Sequence, residues 1–295
     1  MKKTAVVTLG SSGATFSSAA YKLLANIHGV ESNPDNIEFL SVDTNSKVIR
    51  RMLSVHPESS HFQSDVFGVL AVETMADGKI DESLNTFVTL LENENPSRIS
   101  IIGAIRQKIN LALMAKVDMN EIVGVVGHER ALGACKENLS RLGVEQRIVD
   151  NNEEASMRVS WKHGYEKFAA LGPAFAGEKY GLKVINSTFE DTEAVTTFVL
   201  LKTGDAILKP CESNKILAVF RLKHIPGALA QVLYLLRQYN LTNMHSVYTG
   251  NGTYDFLIEL ECPFCQIENC LSVFSRVREV TQKLLTFGPF GVIER

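Results

Sequence analysis

The chain has no stretch approaching the ~18 consecutive apolar residues a membrane helix needs, so no span is expected. Met1-Lys2-Lys3 carries the charge of a secretory leader, but the apolar run that follows is ended by Gly10-Ser11-Ser12-Gly13. A strand of a cytoplasmic protein is the expected reading. Charge of one sign is not in excess either: 30 Lys and Arg stand against 33 Asp and Glu, a net charge of −3. Nucleic acids and membrane surfaces require a concentrated basic face, so neither is an expected partner, and a small metabolite is. Cysteine is scarce and odd in number, with Cys135, Cys211, Cys262, Cys265 and Cys270 forming no disulfide rhythm, as in a reducing compartment. Cys262 and Cys265 have CxxC spacing, but no second CxxC or His pair completes a zinc site, and no metal or cofactor is expected. Proline (8) and glycine (20) are too few for long disordered segments, and 45% hydrophobic residues over 295 positions are enough for two folding units.

What is present is an alternation of strand-like and helix-like segments over the first 210 residues, each strand running into a Gly- or Ser-containing turn. Strands are predicted at 4–9, 37–42, 66–72, 99–105, 109–115, 122–126, 147–149, 169–171, 183–185 and 195–202. Helices are predicted at 16–25, 80–91, 130–142, 152–163 and 173–180. A sheet left by the chain for a middle segment and rejoined near residue 195 gives two lobes with a cleft between them. Residues 203–214 break the pattern with Gly204, Pro210 and Ser213. A new unit then reads strand 216–222, helix 227–239, a hairpin of 243–248 and 253–261, a helix around Ile267, Leu271, Phe274 and Val277, and strand 281–287. That βαββαβ order is a ferredoxin-like sandwich. The expected division is 1–205, a linker at 206–213, and 214–295.

The C-terminal unit resembles the ACT domain, the amino-acid-sensing module of aromatic biosynthesis. Lys223-His224-Ile225-Pro226-Gly227-Ala228-Leu229 matches its strand-to-helix turn, and Asn240-Leu241-Thr242-Asn243 and Tyr254-Asp255-Phe256 fall at its spacings. Pro226-Gly227 permits a tight turn, so amides at the helix start can receive a ligand carboxylate. The resemblance implies an amino-acid effector at Pro226, Gly227, Ala228, Leu229, Asn243 and Ser246. It also implies a homodimer or tetramer formed through these domains. Where the family has Glu-Ser-Arg-Pro the chain has His245-Ser246-Val247-Tyr248, which leaves the effector's identity open.

Residues 4–202 resemble the catalytic domain of prephenate dehydratases, implying a two-lobed α/β fold of the periplasmic-binding-protein type. The resemblance is carried by Gly10-Ser11-Ser12-Gly13, by Gly68-Val69-Leu70-Ala71-Val72-Glu73, by Val126-Gly127-His128-Glu129-Arg130-Ala131-Leu132, by Ala176-Gly177-Glu178-Lys179-Tyr180-Gly181-Leu182, and by Thr196-Thr197-Phe198. It implies conversion of prephenate to phenylpyruvate in phenylalanine biosynthesis, with regulation through the ACT domain. Prephenate carries two carboxylates and a ring hydroxyl, so the site must hold two negative charges and help the hydroxyl leave as carbon dioxide departs. Helix N-termini and donor side chains suit that task.

By this resemblance Thr196 is the catalytic threonine, placed at the leaving hydroxyl. Ser12, Gly13, Thr15, Glu73, Thr74, His128, Thr197 and Phe198 are the expected substrate-binding residues. Position 197 carries the family's substrate-binding arginine, here a threonine, so a charge-assisted contact of roughly 1.5–3 kcal/mol is expected to be lost. Further polar positions of the family are Ala104, Asn110 and Ala194, and its Ser-Thr-Ala segment is Asn151-Asn152-Glu153. Three readings stay open: a divergent dehydratase, an enzyme that decarboxylates a prephenate-like acid without aromatising it, and a binding or regulatory protein that has lost catalysis. An arginine reaching the cleft from elsewhere, such as Arg106 or Arg130, would favour the enzymes, and an apolar or occluded cleft the third.

Overall fold

The structure, a computed structural model, describes residues 2–10, 15–55, 62–75, 78–92, 99–205, 213–250 and 253–294. The first lobe begins with β1 (Lys3–Leu9), α1 (Phe16–His28), β2 (Ile37–Val42), α2 (Ser46–Ser54), β3 (Phe62–Thr74), β4 (Gly78–Lys79), α3 (Asp81–Val88) and β5 (Ile99–Lys108). The chain then builds a second lobe from β6 (Ala112–Ala115), β7 (Gly124–His128), α4 (Glu129–Ala134), α5 (Lys136–Leu142), β8 (Glu145–Val149), α6 (Asn152–Trp161), β9 (Phe168–Gly172), α7 (Ala174–Lys179) and β10 (Lys183–Asn186). It returns to the first lobe as β11 (Val195–Thr203), which inserts between β3 and β5. The second lobe has its own sheet, ordered β10-β6-β9-β7-β8, so two passages of chain, 109–111 and 187–194, join the lobes.

The last unit is β12 (Ser213–Leu222), α8 (Ala228–Leu236), β13 (Asn240–Gly250), β14 (Thr253–Pro263), α9 (Ile267–Val280) and β15 (Thr281–Glu294). This is the expected βαββαβ order. Its antiparallel sheet does not stand apart. The end of β15 pairs in parallel with β5, Val292 opposite Ala104 and Glu294 opposite Arg106, giving one sheet ordered β13-β14-β12-β15-β5-β11-β3-β1-β2. Of the expected linker 206–213, Ser213 already belongs to β12 and the rest lies outside the described residues.

Strand alternation divides the first lobe's core in two. Val6, Phe67, Val69, Ala71, Ile105, Phe198 and Leu200 face α1, which buries Ala20, Tyr21, Leu24 and Ala25 against them. Ala5, Val7, Val66, Leu70, Val199 and Leu201 face the other way, towards α2 and α3. There they meet Leu217, Val219, Leu257 and Phe287 of the C-terminal sheet. The two units therefore share a core, while α8 and α9 cover the far side of the C-terminal sheet.

Besides the short strand β4 and the run of β15 past 287, three elements depart from expectation. The helix expected at 130–142 is broken at Cys135, whose backbone (φ −120°, ψ 21°) is not helical, into α4 and α5. The strand expected from 109 begins at Ala112, because 109–111 make the passage between lobes. Helix α2 was not anticipated, although Val48, Ile49 and Met52 bury one of its faces. Cys262 and Cys265 lie where β14 hands over through a 3-10 turn, Phe264–Gln266, to α9. Among the described residues no helix is long and apolar enough to cross a membrane.

Candidate active site and effector cavity

Between the lobes lies a cleft of about 440 Å³, within the range of small-molecule sites. Its floor is the first-lobe sheet. Thr196 and Thr74 are register partners on β11 and β3, and Phe198 and Ala71 pair further along the same two strands. The Thr196 side chain is half-buried and has no hydrogen-bond partner among the described residues. Ile80 and Ile109 add apolar surface to the wall.

Three strand-to-helix turns close on this floor. At the end of β1, Gly10 adopts φ +84°, a conformation that side chains other than glycine's avoid, and a Cβ there would lie 2.9 Å from Thr15 Cγ2. Thr15 caps α1 reciprocally: the Ser18 amide donates to Thr15 Oγ1 at 3.2 Å and the Thr15 amide donates to Ser18 Oγ at 3.0 Å. Its oxygen thus accepts from the cap, which leaves the hydroxyl hydrogen for the cleft. The second turn follows β7, where the Arg130 amide donates to His128 Nδ1 at 3.2 Å. With Nδ1 occupied as an acceptor, the neutral ring carries its hydrogen on Nε2. The third follows β8, where Asp150, Asn151, Asn152 and Glu153 line the cleft and Asn151 Oδ1 accepts the Glu154 amide at 2.8 Å, capping α6. Glu153 is buried and tied to Lys179 Nζ at 2.5 Å and Tyr180 Oη at 2.8 Å, and its hydrogen bond holds the Lys179 ammonium above its ordinary pKa.

The structure thus brings Thr15, Thr74, His128, Thr196 and Phe198 into one cleft. Ser12 and Gly13 lie outside the described residues. Glu73 and Thr197 need correction, because both face away, into a cavity of about 430 Å³ between the first lobe and the C-terminal sheet. The cause is a β-bulge. Thr197 pairs with Glu73 but Phe198 with Ala71, so Val72 is an extra residue, and beyond it the alternation of β3 is reversed. An arginine at 197 would therefore enter the interdomain cavity. Arg106 lines that same cavity and pairs with Glu294 at 3.0 Å, whereas Arg130 lines the cleft with no ion-pair partner among the described residues.

Asp43, Asn45 and Asp150 were not foreseen as cleft residues, and Asn152 and Glu153 stood in the sequence only as a departure from the family pattern. The signal that could have found the last three was position, since the turn after β8 is topologically equivalent to the turns after β1 and β7.

In the C-terminal unit Pro226, Gly227, Ala228 and Leu229 line an open cavity of about 670 Å³ with Lys223, His224, Tyr254 and Phe256. Gly227 (φ +81°) is the N-cap of α8 and supplies no side-chain cap; the Ala228 amide donates to the Ile225 carbonyl at 3.3 Å, which leaves the Leu229 and Ala230 amides for a carboxylate. Asn243 and Ser246 do not line it. Asn243 is the register partner of Glu259, on the sheet face towards the first lobe, and Ser246 stands opposite Phe256 one strand over. His245 also faces the first lobe, 3.0 Å from Asn85 Oδ1.

A two-lobed α/β domain with a polar cleft between its lobes, joined to a ferredoxin-like unit with a cavity of its own, is the class these features define. The sequence pattern of the prephenate dehydratase family matches residues 6–206, and the chain belongs to that family. Arogenate dehydratase/prephenate dehydratase 2 of Arabidopsis thaliana is 28% identical over 183 residues, which are 60% of this chain and 46% of that protein. The chain thus spans about half the length of that relative. Prephenate dehydratase of Methanocaldococcus jannaschii is 25% identical over 229 residues, 76% of this chain and 81% of that one. Among solved structures, prephenate dehydratase from Arthrobacter aurescens in complex with L-Phe superposes with a TM-score of 0.72 at 20% identity, covering 97% of this chain and 89% of that one. GqqA, a quorum-quenching acylase, superposes at 0.74 with 18% identity and 97% of each chain covered. These two likenesses establish the fold.

Proposed function

We propose that the chain is a prephenate dehydratase-type lyase, converting prephenate to phenylpyruvate, water and carbon dioxide, with residues 1–205 as the catalytic unit and 214–295 as an amino-acid sensor. The observation that carries this reading is the meeting of Arg130 with the Thr74 and Thr196 side chains and the His128 ring in one cleft. In the reaction the bond between ring and carboxylate breaks, its electron pair enters the ring, and the ring hydroxyl leaves with a proton. Arg130 and the amides at the start of α1 would hold the carboxylates, and the apolar wall of Phe198, Ile80 and Ile109 the ring. Thr196 would hydrogen-bond the departing oxygen as charge develops on it, and His128 Nε2 would supply a donor beside it.

The cleft is neither occluded nor wholly apolar, which favours an enzyme over a protein that has lost catalysis. The effector cavity suits an amino acid: amides for the carboxylate, and Leu229, Leu233 and Phe256 for an apolar side chain. L-Phe, held by the Arthrobacter aurescens relative, is the first candidate. Assembly is part of the same proposal. Strand β13 is the outer strand of the long sheet and exposes Leu241, Met244 and Tyr248, so a second copy pairing at that edge would cover both the open main chain and the apolar side chains.

The test is incubation with prephenate, following the ultraviolet signature of phenylpyruvate and the release of carbon dioxide, with arogenate as a parallel substrate. Phenylpyruvate with carbon dioxide supports the proposal. Carbon dioxide without an aromatic product selects a decarboxylase, and no turnover of either substrate leaves the regulatory homologue.

A further inference from the structure

The cleft floor and the C-terminal sheet stand back to back. Thr74 and Thr196 face the cleft, while the adjacent Glu73 and Thr197 face the interdomain cavity. Across that cavity runs a chain of charges. Lys79, on the two-residue strand β4, lies 3.1 Å from Glu73 and 3.0 Å from Glu259 of β14. Glu259 is only 8% exposed and also receives Lys215 Nζ at 2.7 Å and Thr242 Oγ1 at 2.8 Å. Two of its three partners, Lys215 on β12 and Thr242 on β13, belong to its own sheet, and Lys79 is the one from the first lobe.

We propose that Lys79 is a positioning residue for the cleft floor, through which the state of the C-terminal sheet sets Thr74 and Thr196. The register supports it: Glu73 pairs with Lys79 and Thr74 with Gly78, so the lysine's own backbone is one step from the cleft threonine. Thr74 pairs in turn with Thr196. On the other side, β14 carries Tyr254 and Phe256 at the effector cavity and Glu259 three residues further on, roughly 10 Å along the strand. An occupant that shifts β14 at the cavity therefore moves Glu259, and Lys79 with it. A second position for the carboxylate has a donor waiting. Asn243 Nδ2 is buried with no hydrogen-bond partner among the described residues, on the residue directly across from Glu259. Removing Lys79 leaves Glu259 compensated by Lys215 and Thr242, so the fold survives while the link is cut.

The inference rests on the proposed function only in what the cleft and cavity bind, and its test has one arm free of ligand. Amide hydrogen exchange of the full chain should show residues 72–75 and 194–197 of Lys79→Met exchanging at least about tenfold faster than in the unaltered protein, with residues 145–161 of the second lobe unchanged. Lys79→Arg should restore protection. Exchange unaltered at the floor, or raised everywhere alike, overturns the proposal. In the second arm, calorimetry measures L-Phe binding with and without prephenate. Prephenate should change L-Phe affinity about fivefold or more in the unaltered protein and less than about twofold in Lys79→Met, with affinity for L-Phe alone retained. Coupling that persists in Lys79→Met overturns the link to the sensor. Absence of binding by either ligand in the unaltered protein refutes the proposed function instead, and the exchange arm then decides the positioning role alone.

Discussion

Thr196 and Thr197 are neighbours of one residue type whose side chains face opposite sides of the sheet, which makes them a matched pair for testing the site. Thr196 lines the cleft half-buried and its hydroxyl has no partner among the described residues, so Thr196→Ala breaks no native side-chain hydrogen bond. Its stability cost is the loss of β-propensity, under about 1 kcal/mol, or a fall in Tm of roughly 2–4 °C for a domain of this size. The catalytic cost is of another order. Removing one donor placed where charge develops typically slows turnover on the order of 100-fold to 1000-fold, roughly 2.7–4 kcal/mol. Thr197→Ala should show the converse. Thr197 is 8% exposed and lines the cavity between the first lobe and the C-terminal sheet, so truncation should cost about 1–2 kcal/mol of stability while leaving kcat within about threefold. Phenylpyruvate formation and thermal unfolding, measured on both variants and on Thr196→Ser, give the contrast, with Thr196→Ser keeping partial activity. If Thr196→Ala retains kcat within about threefold, or Thr197→Ala loses as much as Thr196→Ala, the assignment of Thr196 is wrong.

Arg130→Met should raise the KM for prephenate about tenfold with little change in kcat, since an exposed guanidinium contributes towards the lower end of a charge-assisted contact; steady-state kinetics with an unchanged KM would remove Arg130 from the site. Thr197→Arg should not tighten prephenate binding in calorimetry, because position 197 opens on the interdomain cavity with Lys79, Arg106 and Lys215. A third prediction concerns acid stability. Burial acts to raise the Glu259 pKa, but Lys79, Lys215 and the Thr242 hydroxyl outweigh it and hold the carboxyl below its ordinary value. A lowered folded pKa contributes stability that is fully present above the unfolded value of about 4.3 and is lost as pH falls through the lower folded one. Thermal unfolding followed from pH 7 down to about 3 should therefore show an acid limb that moves to higher pH in Lys79→Met.

Most of the architecture was legible because each βα turn is punctuated and each buried strand is a continuous apolar run. The βαββαβ order of the ACT-like unit was legible, since its turn at Pro226-Gly227 and its hairpin are written in local chemistry, but the run of β15 past 287 to pair with β5 was not. Helix α2 escaped for a physical reason. It is short, and its N-cap Asn45 makes no side-chain capping bond, so Asp43-Thr44-Asn45-Ser46 reads as loop. The break at Cys135 had a local signal in Gly133, a weak helix former in the last turn of α4, which the apolar spacing of 130–142 outweighed. The effector residues expected on β13 fell away because Asn243 and Ser246 lie on opposite faces of one strand, and only Ser246 is on the side of the cavity.

The bulge at Val72 decides what no period-2 reading of β3 could. Phe67, Val69 and Ala71 share the face towards α1, and strict alternation would add Glu73 to the cleft and turn Thr74 away. One extra residue inverts both assignments. A carboxylate in the cleft beside Thr196 would repel a dianionic substrate, whereas behind the sheet the same carboxylate meets Lys79 at 3.1 Å. The bulge thus keeps one more carboxylate out of a cleft already lined by Asp43, Asp150 and Glu153, and places Glu73 where the C-terminal sheet can be tied to it. Bulges gather at active sites because they re-aim side chains. Here two consecutive side chains are re-aimed at once, Thr74 to the cleft and Glu73 to the contact behind it, so the strand that forms the cleft floor is also the strand that Lys79 ties to the C-terminal sheet.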